Sequence, residues 1–170
     1  MTIVDAIIEI PEGSANKYEW DIRTQRIRLD RVLWSSMHYP INYGLIPDTW
    51  ADDEDPLDVL VFSSQPLYPG VQVAVRLVGS LTMTDEHGPD DKLVAVVHAD
   101  PRWAHVTRTA DIPPHRLKEI HQFFEEYKVL QGIPTTVGDW NGELVATNLL
   151  RRCQTQYQQR LTASQDKETL

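Results

Sequence analysis

Over the first hundred residues, apolar and polar positions trade places in short blocks, the pattern of strands rather than helices. Val4 to Ile10 is apolar except at Asp5 and Glu9, and Lys17 to Ile22 follows the turn Glu12-Gly13-Ser14. Arg26 to Leu33 alternates, with Ile27 and Leu29 set against Arg26, Arg28 and Asp30. Leu57 to Phe62, Val71 to Gly79 and Lys92 to His98 are further β-rich runs, bounded by Pro69-Gly70 and Gly88-Pro89. Many short strands at close spacing predict a barrel or sandwich. After Pro113-Pro114 the period changes, and Leu117, Ile120, Phe123, Phe124, Tyr127 and Leu130 recur at helical spacing. A second amphipathic helix is predicted from about Asn141 to about Gln158, with Leu144, Val145, Leu149, Leu150, Cys153 and Tyr157 on one side. The polar stretch Ala163 to Leu170 reads as a frayed, disordered tail. With no repeat, low-complexity tract or Gly/Ser linker, residues 1–170 form a single domain: an α+β fold in which a small closed β-barrel carries two C-terminal helices.

Composition narrows the function. The 170 residues are 41% hydrophobic and 24% charged, enough to bury a core without disulfides. The single cysteine, Cys153, excludes an intrachain disulfide and fits a reducing compartment; within a leucine-rich helix it reads as a packing residue, not a nucleophile. The formal net charge of −9 argues against nucleic acid and anionic membranes, which are bound through a surplus of Lys and Arg. The N-terminal residues lack a basic leader, and no apolar run approaches the roughly 20 residues that span a bilayer, so the chain is expected in the cytoplasm. An acidic protein can still bind an anionic substrate when metal cations lie between them.

The densest chemical feature is Asp52-Asp53-Glu54-Asp55-Pro56-Leu57-Asp58. It leads directly into a hydrophobic strand, and Pro56 stiffens it by fixing its own φ and restricting Asp55. Crowding these carboxylates is unfavourable unless cations relieve their repulsion. Oxygen ligands with no nearby His or Cys suit Mg²⁺ or Mn²⁺ better than zinc, and Pro56 and Leu57 rule out an EF-hand loop. A second cluster, Asp85-Glu86-His87-Gly88-Pro89-Asp90-Asp91-Lys92, sits in the turn between two β-rich runs, so both clusters can meet at one mouth of a barrel. Glu9 and Glu19 stand on strands among apolar or aromatic neighbours. Lys17, Arg31, Lys92 and Lys128, with Tyr39, Tyr43 and Tyr127, lie close in sequence to these acids.

As an ensemble these residues resemble the soluble family I inorganic pyrophosphatases of the compact bacterial form, from Ile7 to about Tyr157. The matching segments are Ile8-Glu9-Ile10-Pro11, Asn16-Lys17-Tyr18-Glu19, Leu29-Asp30-Arg31, Tyr39-Pro40 with Asn42-Tyr43-Gly44, Asp53-x-Asp55-Pro56-x-Asp58-Val59, Met83-Thr84-Asp85-Glu86, Asp90-x-Lys92 and Phe123-Phe124-Glu125-x-Tyr127-Lys128. The resemblance implies a five-stranded OB-like barrel with helices packed against it, a hexameric assembly, and hydrolysis of pyrophosphate to two orthophosphates without a covalent intermediate. It implies several Mg²⁺ ions per site, with Mn²⁺ a possible substitute. Asp53, Asp58 and Asp90 would hold one ion, with Asp58 also reaching a second; Asp85 and Asp90 would hold a third, and Glu9 with Glu19 a fourth. Asp55 would be the general base toward a water between the first two metals. Lys17, Arg31, Tyr43, Lys92, Tyr127 and Lys128 would grip phosphate oxygens, and Tyr39 would support the site. Asp52 and Glu54 would be bystanders.

Three positions depart from the family pattern. Glu54 stands where the acidic signature usually has a small or polar residue, Gln122 and Glu126 stand where some hexameric relatives carry histidines, and His87 is added to the second acidic loop. Other readings of the fold are an OB-fold module for nucleic acid, which the −9 charge disfavours, an inactive scaffold, and a broader Mg/Mn-dependent phosphoanhydride hydrolase.

Overall fold

The computed structural model describes the backbone of residues 1–168 and side chains through Ser164. In chain order the strands are β1 (Ile3–Ile10), β2 (Asn16–Asp21), β3 (Arg26–Val32), β4 (Asn42–Leu45), β5 (Asp58–Phe62), β6 (Gln72–Asp85), β7 (Gly88–Pro89), β8 (Lys92–Val97) and β9 (Thr136–Gly142), and the helices are α1 (Pro114–Glu126) and α2 (Glu143–Glu168). Five strands close a ring: β1 pairs β4, β4 pairs β5, β5 pairs β8, β8 pairs β6, and β6 returns to β1. Among the described strands only β5 and β8 run parallel. β7 and β9 extend the far half of β6, and β2–β3 form a separate hairpin.

The apolar runs that read as strands are buried on both faces. Along β5, Leu60 and Phe62 point into a core shared with Ile120, Phe123 and Phe124 of α1. Val59 and Val61 point the other way, to a second core roofed by Ala146, Leu149, Leu150 and Cys153 of α2. β8 divides likewise, Val94 and Val96 going to the first core and Leu93 and Ala95 to the second. A strand covered on both sides needs no polar alternation, which accounts for its unbroken apolar sequence. Closure brings backbones very near each other at one point: a Cβ on Gly44 would lie 2.1 Å from the Ile7 carbonyl oxygen, so β4 can meet β1 only with glycine there.

The structure revises several details. β4 and β9 were not foreseen, and β6 continues to Asp85, beyond the end expected at Gly79. Leu29, expected on the inner side of an alternating strand, is 51% exposed because the β2–β3 hairpin stands off the ring. The buried stripe of α2 is Ala146, Leu149, Leu150 and Cys153, whereas Leu144 and Val145 are exposed. α2 runs past Gln158 to Glu168, taking in the start of the polar stretch at 163; residues 169–170 lie outside the described residues. Leu130 belongs to a short 3-10 turn after α1, not to the helix. Among the described residues, no helix is long and apolar enough to cross a membrane.

Candidate active site

One mouth of the ring opens into a cavity of about 650 Å³. Strand ends and turns deliver its side chains: Glu9 from β1, Lys17 and Glu19 from β2, Arg31 from β3, Tyr43 from β4, Asp58 from the first residue of β5, Asp85 from the last of β6, and Tyr127 and Lys128 from the end of α1. Asp53 and Asp55 come from the β4–β5 loop, and Asp90 from the turn before β8. Every candidate residue except Lys92 and Tyr39 therefore lines a single cavity. Those two lie beneath it, Lys92 1% and Tyr39 2% exposed.

Lys92 occupies the floor. Its ammonium donates to Asp90 Oδ1 at 2.7 Å, Asp58 Oδ2 at 2.8 Å and the Tyr43 hydroxyl oxygen at 3.1 Å, and Tyr43 donates its own hydroxyl hydrogen to Asp58. Burial alone would drive Lys92 toward the neutral amine, but Asp58 and Asp90 outweigh it and hold the group charged. Tyr39 packs its ring 4.7 Å from Phe123 and edge-on to Tyr43 at 5.8 Å, fixing the phenol that reaches Asp58.

The other candidate cations, Lys17, Arg31 and Lys128, are paired around the rim. Lys17 Nζ lies 2.7 Å from Glu19 and 3.5 Å from Asp30, and Arg31 Nε lies 2.6 Å from Asp30. Lys17 and Arg31 face each other across the β2–β3 hairpin, so one turn places both charges. Lys128 Nζ is 2.9 Å from both Asp85 and Glu86.

Several carboxyls are held above their ordinary range. Burial raises Glu9 to about 8, in spite of the 2.7 Å hydrogen bond it accepts from the Trp20 N–H. Burial raises Asp90 to about 6, with the charge of Asp58 adding to the shift against Lys92. Asp53 and Asp55 are raised by burial and then by Asp58. In Asp85 the effect of burial is outweighed by the His87 N–H and by Lys128, and the carboxyl is lowered. Among the described residues no three carboxylates converge closely enough to enclose a cation. The donor set fits hard cations: nine carboxylates line one cavity, Asp21 and Glu86 beside the seven candidates, and four of the candidates have raised pKa values that a divalent ion would relieve.

The cavity also holds residues that sequence reasoning left out of the site. Gln131 accepts a 3.4 Å hydrogen bond from Arg31, and Arg23 and Glu86 line the wall. Glu86 belongs to the second acidic cluster, next to the candidate Asp85, whereas nothing in the local sequence around Gln131 marks it as a site residue. His87 lines the cavity too, with its side chain 73% exposed. Glu54 holds a left-handed backbone, φ 68°, a conformation that glycine and asparagine adopt more readily than glutamate.

A closed OB-like ring whose mouth gathers carboxylates, phenols and paired cations defines a metal-dependent enzyme acting on a small anion. A sequence model of the inorganic pyrophosphatase family matches residues 6–158. The chain is 47% identical over 155 residues to the inorganic pyrophosphatase of Geobacillus stearothermophilus, across 91% of this chain and 94% of that one. It is 48% identical over 152 residues to that of Leifsonia xyli, across 89% and 93%. Among solved structures, the inorganic pyrophosphatase from Thermus thermophilus superposes with a TM-score of 0.89 at 45% identity, covering 92% of this chain and 91% of that one. The chain belongs to the inorganic pyrophosphatase family.

Proposed function

We propose that the cavity binds pyrophosphate with several Mg²⁺ ions and that this chain hydrolyses it to two orthophosphates. The observation that carries the reading is the meeting, in one cavity, of the seven candidate carboxylates with Lys17, Arg31 and Lys128 at its rim. Asp53, Asp58, Asp85, Asp90, Glu9 and Glu19 are proposed to hold the cations, for which Mn²⁺ is a possible substitute. When bound, such ions polarise phosphate oxygens and bring the pKa of coordinated water toward neutrality. Asp55 is the proposed general base: burial and the charge of Asp58 raise its carboxyl, which makes it a stronger proton acceptor than an ordinary aspartate. Arg31, Lys17, Lys128, Tyr127 and Tyr43 are proposed to donate to phosphate oxygens, with Lys17, Lys128 and Tyr43 each exchanging a carboxylate partner for the ligand. Lys92 keeps the floor positive beneath Asp58 and Asp90, and Tyr39 holds Tyr43 in place. Phosphoryl transfer to water needs positioning and charge neutralisation, not a covalent intermediate. Residues 1–170 act as one domain, the assembly is a homohexamer, and the enzyme works in the cytoplasm.

The test is orthophosphate release from pyrophosphate and from ATP, each with Mg²⁺ or Mn²⁺ and with excess EDTA. Release from pyrophosphate with Mg²⁺, abolished by EDTA, is the expected result. Preference for ATP would replace this reading with a broader phosphoanhydride hydrolase. Size-exclusion chromatography with light scattering checks the hexamer.

A further inference from the structure

The acidic loop between β4 and β5 is anchored from outside the cavity by one face of α2. Asp52 accepts hydrogen bonds and charge from two helix residues a turn apart: Gln156 Nε2 donates to Oδ1 at 2.9 Å, and Arg152 Nη2 lies 3.3 Å from Oδ2. On the other side of Ala51, the Trp50 N–H donates to the Cys153 carbonyl at 2.9 Å, and the Arg160 guanidinium stacks 3.8 Å from the centre of the Trp50 ring. Arg152, Cys153, Gln156 and Arg160 lie at helical spacings of one, four and eight, so a single stripe of α2 supplies every anchor. Arg160 falls beyond the 6–158 span that matches the family.

Ala51, between the two anchors, is the pivot of the loop. Its N–H donates to the Asp55 carbonyl at 2.8 Å, and its carbonyl accepts from the Glu54 N–H at 3.2 Å. Asp53 and Asp55 project into the cavity from within that closed turn. A turn carrying so many carboxylates tends to splay under its own repulsion, and Arg152 supplies a cation on the face away from the cavity. Gln156 is oriented by the same contact: its Oε1 is buried without a partner, while a flipped amide would set oxygen against the Asp52 carboxylate.

We propose that Asp52 is a positioning residue: α2 grips it through Arg152 and Gln156, and the turn at Ala51 carries that constraint to Asp53 and Asp55. The consequence for function is a loop preset for cation binding, which rests on the Mg²⁺-dependent reading given above. Outer contacts of this kind commonly tune metal affinity without touching the metal.

The experiment measures initial rates of pyrophosphate hydrolysis across a Mg²⁺ titration, together with calorimetric Mg²⁺ binding, for wild type, Asp52→Ala, Arg152→Ala and the double variant. Each single variant is expected to raise the half-saturating Mg²⁺ about fivefold, the size of one exposed ion pair, and to weaken calorimetric binding in the same proportion. The value of kcat at saturating Mg²⁺ stays unchanged, the double variant adds nothing to the singles, and Arg152→Lys restores the wild-type titration. Unshifted Mg²⁺ dependence in both single variants, or fully additive losses, overturns the proposal. Should the alanine variants fold poorly, Asp52→Asn keeps an oxygen for Gln156 but loses the ion pair; it must shift in the same direction, and no shift there overturns the proposal equally. A wild-type enzyme without Mg²⁺-dependent hydrolysis would instead overturn the underlying reading of the site.

Discussion

Lys92 Nζ donates to Asp58 Oδ2 across 2.8 Å, linking the first residues of two parallel neighbours, β8 and β5. The lysine side chain is 2% exposed and the aspartate side chain 21%. Neither charge is easily rehydrated, and removing one strands the other. Lys92→Met is therefore expected to destabilise the metal-free protein by about 3 kcal/mol, the usual consequence of breaking a buried pair. Urea unfolding in EDTA measures it. A midpoint equal to wild type would show that Asp58 and Asp90 do not depend on this cation.

Stability of the metal-free protein should fall as pH rises. Glu9 is the main cause, since burial raises its carboxyl from 4.5 to about 8 in the folded state. Between those values the unfolded carboxyl has ionised while the folded one keeps its proton, so the folded state binds more protons and loses stability with increasing pH. Asp90 acts in the same direction between 3.8 and about 6. The Glu9 contribution is on the order of 2–4 kcal/mol over its window. Urea midpoints in EDTA should thus drop from about pH 5 to about pH 8, and Glu9→Gln should flatten most of the decline. Mg²⁺ should reverse it, because cations bind the deprotonated acids. A wild-type profile that is flat or rising in EDTA would contradict the burial of Glu9 as the controlling term.

Glu54 occupies the left-handed region at φ 68°, where a side chain with a Cβ is disfavoured. Glu54→Gly and Glu54→Asn should each stabilise the protein by about 1 kcal/mol, raising Tm by roughly 2–4 °C. Asn is the cleaner test, because Gly also adds unfolded-state entropy. Activity at saturating Mg²⁺ should be unaffected, since the position reaches neither cation nor substrate in the proposed arrangement. Differential scanning calorimetry checks the first point; an unchanged or lower Tm for the asparagine variant would remove backbone strain from the account of this loop.

What the sequence made legible was whatever is written locally. β5 and β8 are short apolar runs, and the periodicity of α1 follows from Ile120, Phe123 and Phe124 lying on one buried side. β4 left no such mark: Asn42-Tyr43-Gly44-Leu45 has four residues, no alternation, and a glycine required by the close approach of Ile7. β9 contains Gly138, Asp139 and Asn141 and owes its strand conformation to pairing with β6. The candidate site was readable because strand ends and turns concentrate its acids in two dense clusters, and the fold brings both clusters to one cavity. Asp52 was not readable as more than a neighbour of ligands. Its partners, Arg152 and Gln156, stand on a helix at the other end of the chain, with nothing in their local sequence to point back to the loop.

The central claim is that Asp55 accepts a proton in a Mg²⁺-dependent hydrolysis of pyrophosphate. Asp55→Asn removes the base while keeping the size of the side chain. Its kcat should fall about 10²- to 10⁴-fold, the usual contribution of a positioned general base, with calorimetric Mg²⁺ binding and Tm close to wild type. Single-turnover phosphate release from pyrophosphate, compared between wild type and Asp55→Asn at saturating Mg²⁺, measures this most directly. A large loss confined to the chemical step is the result predicted; equal rates for the two proteins, or wild-type release that persists in excess EDTA, would contradict it.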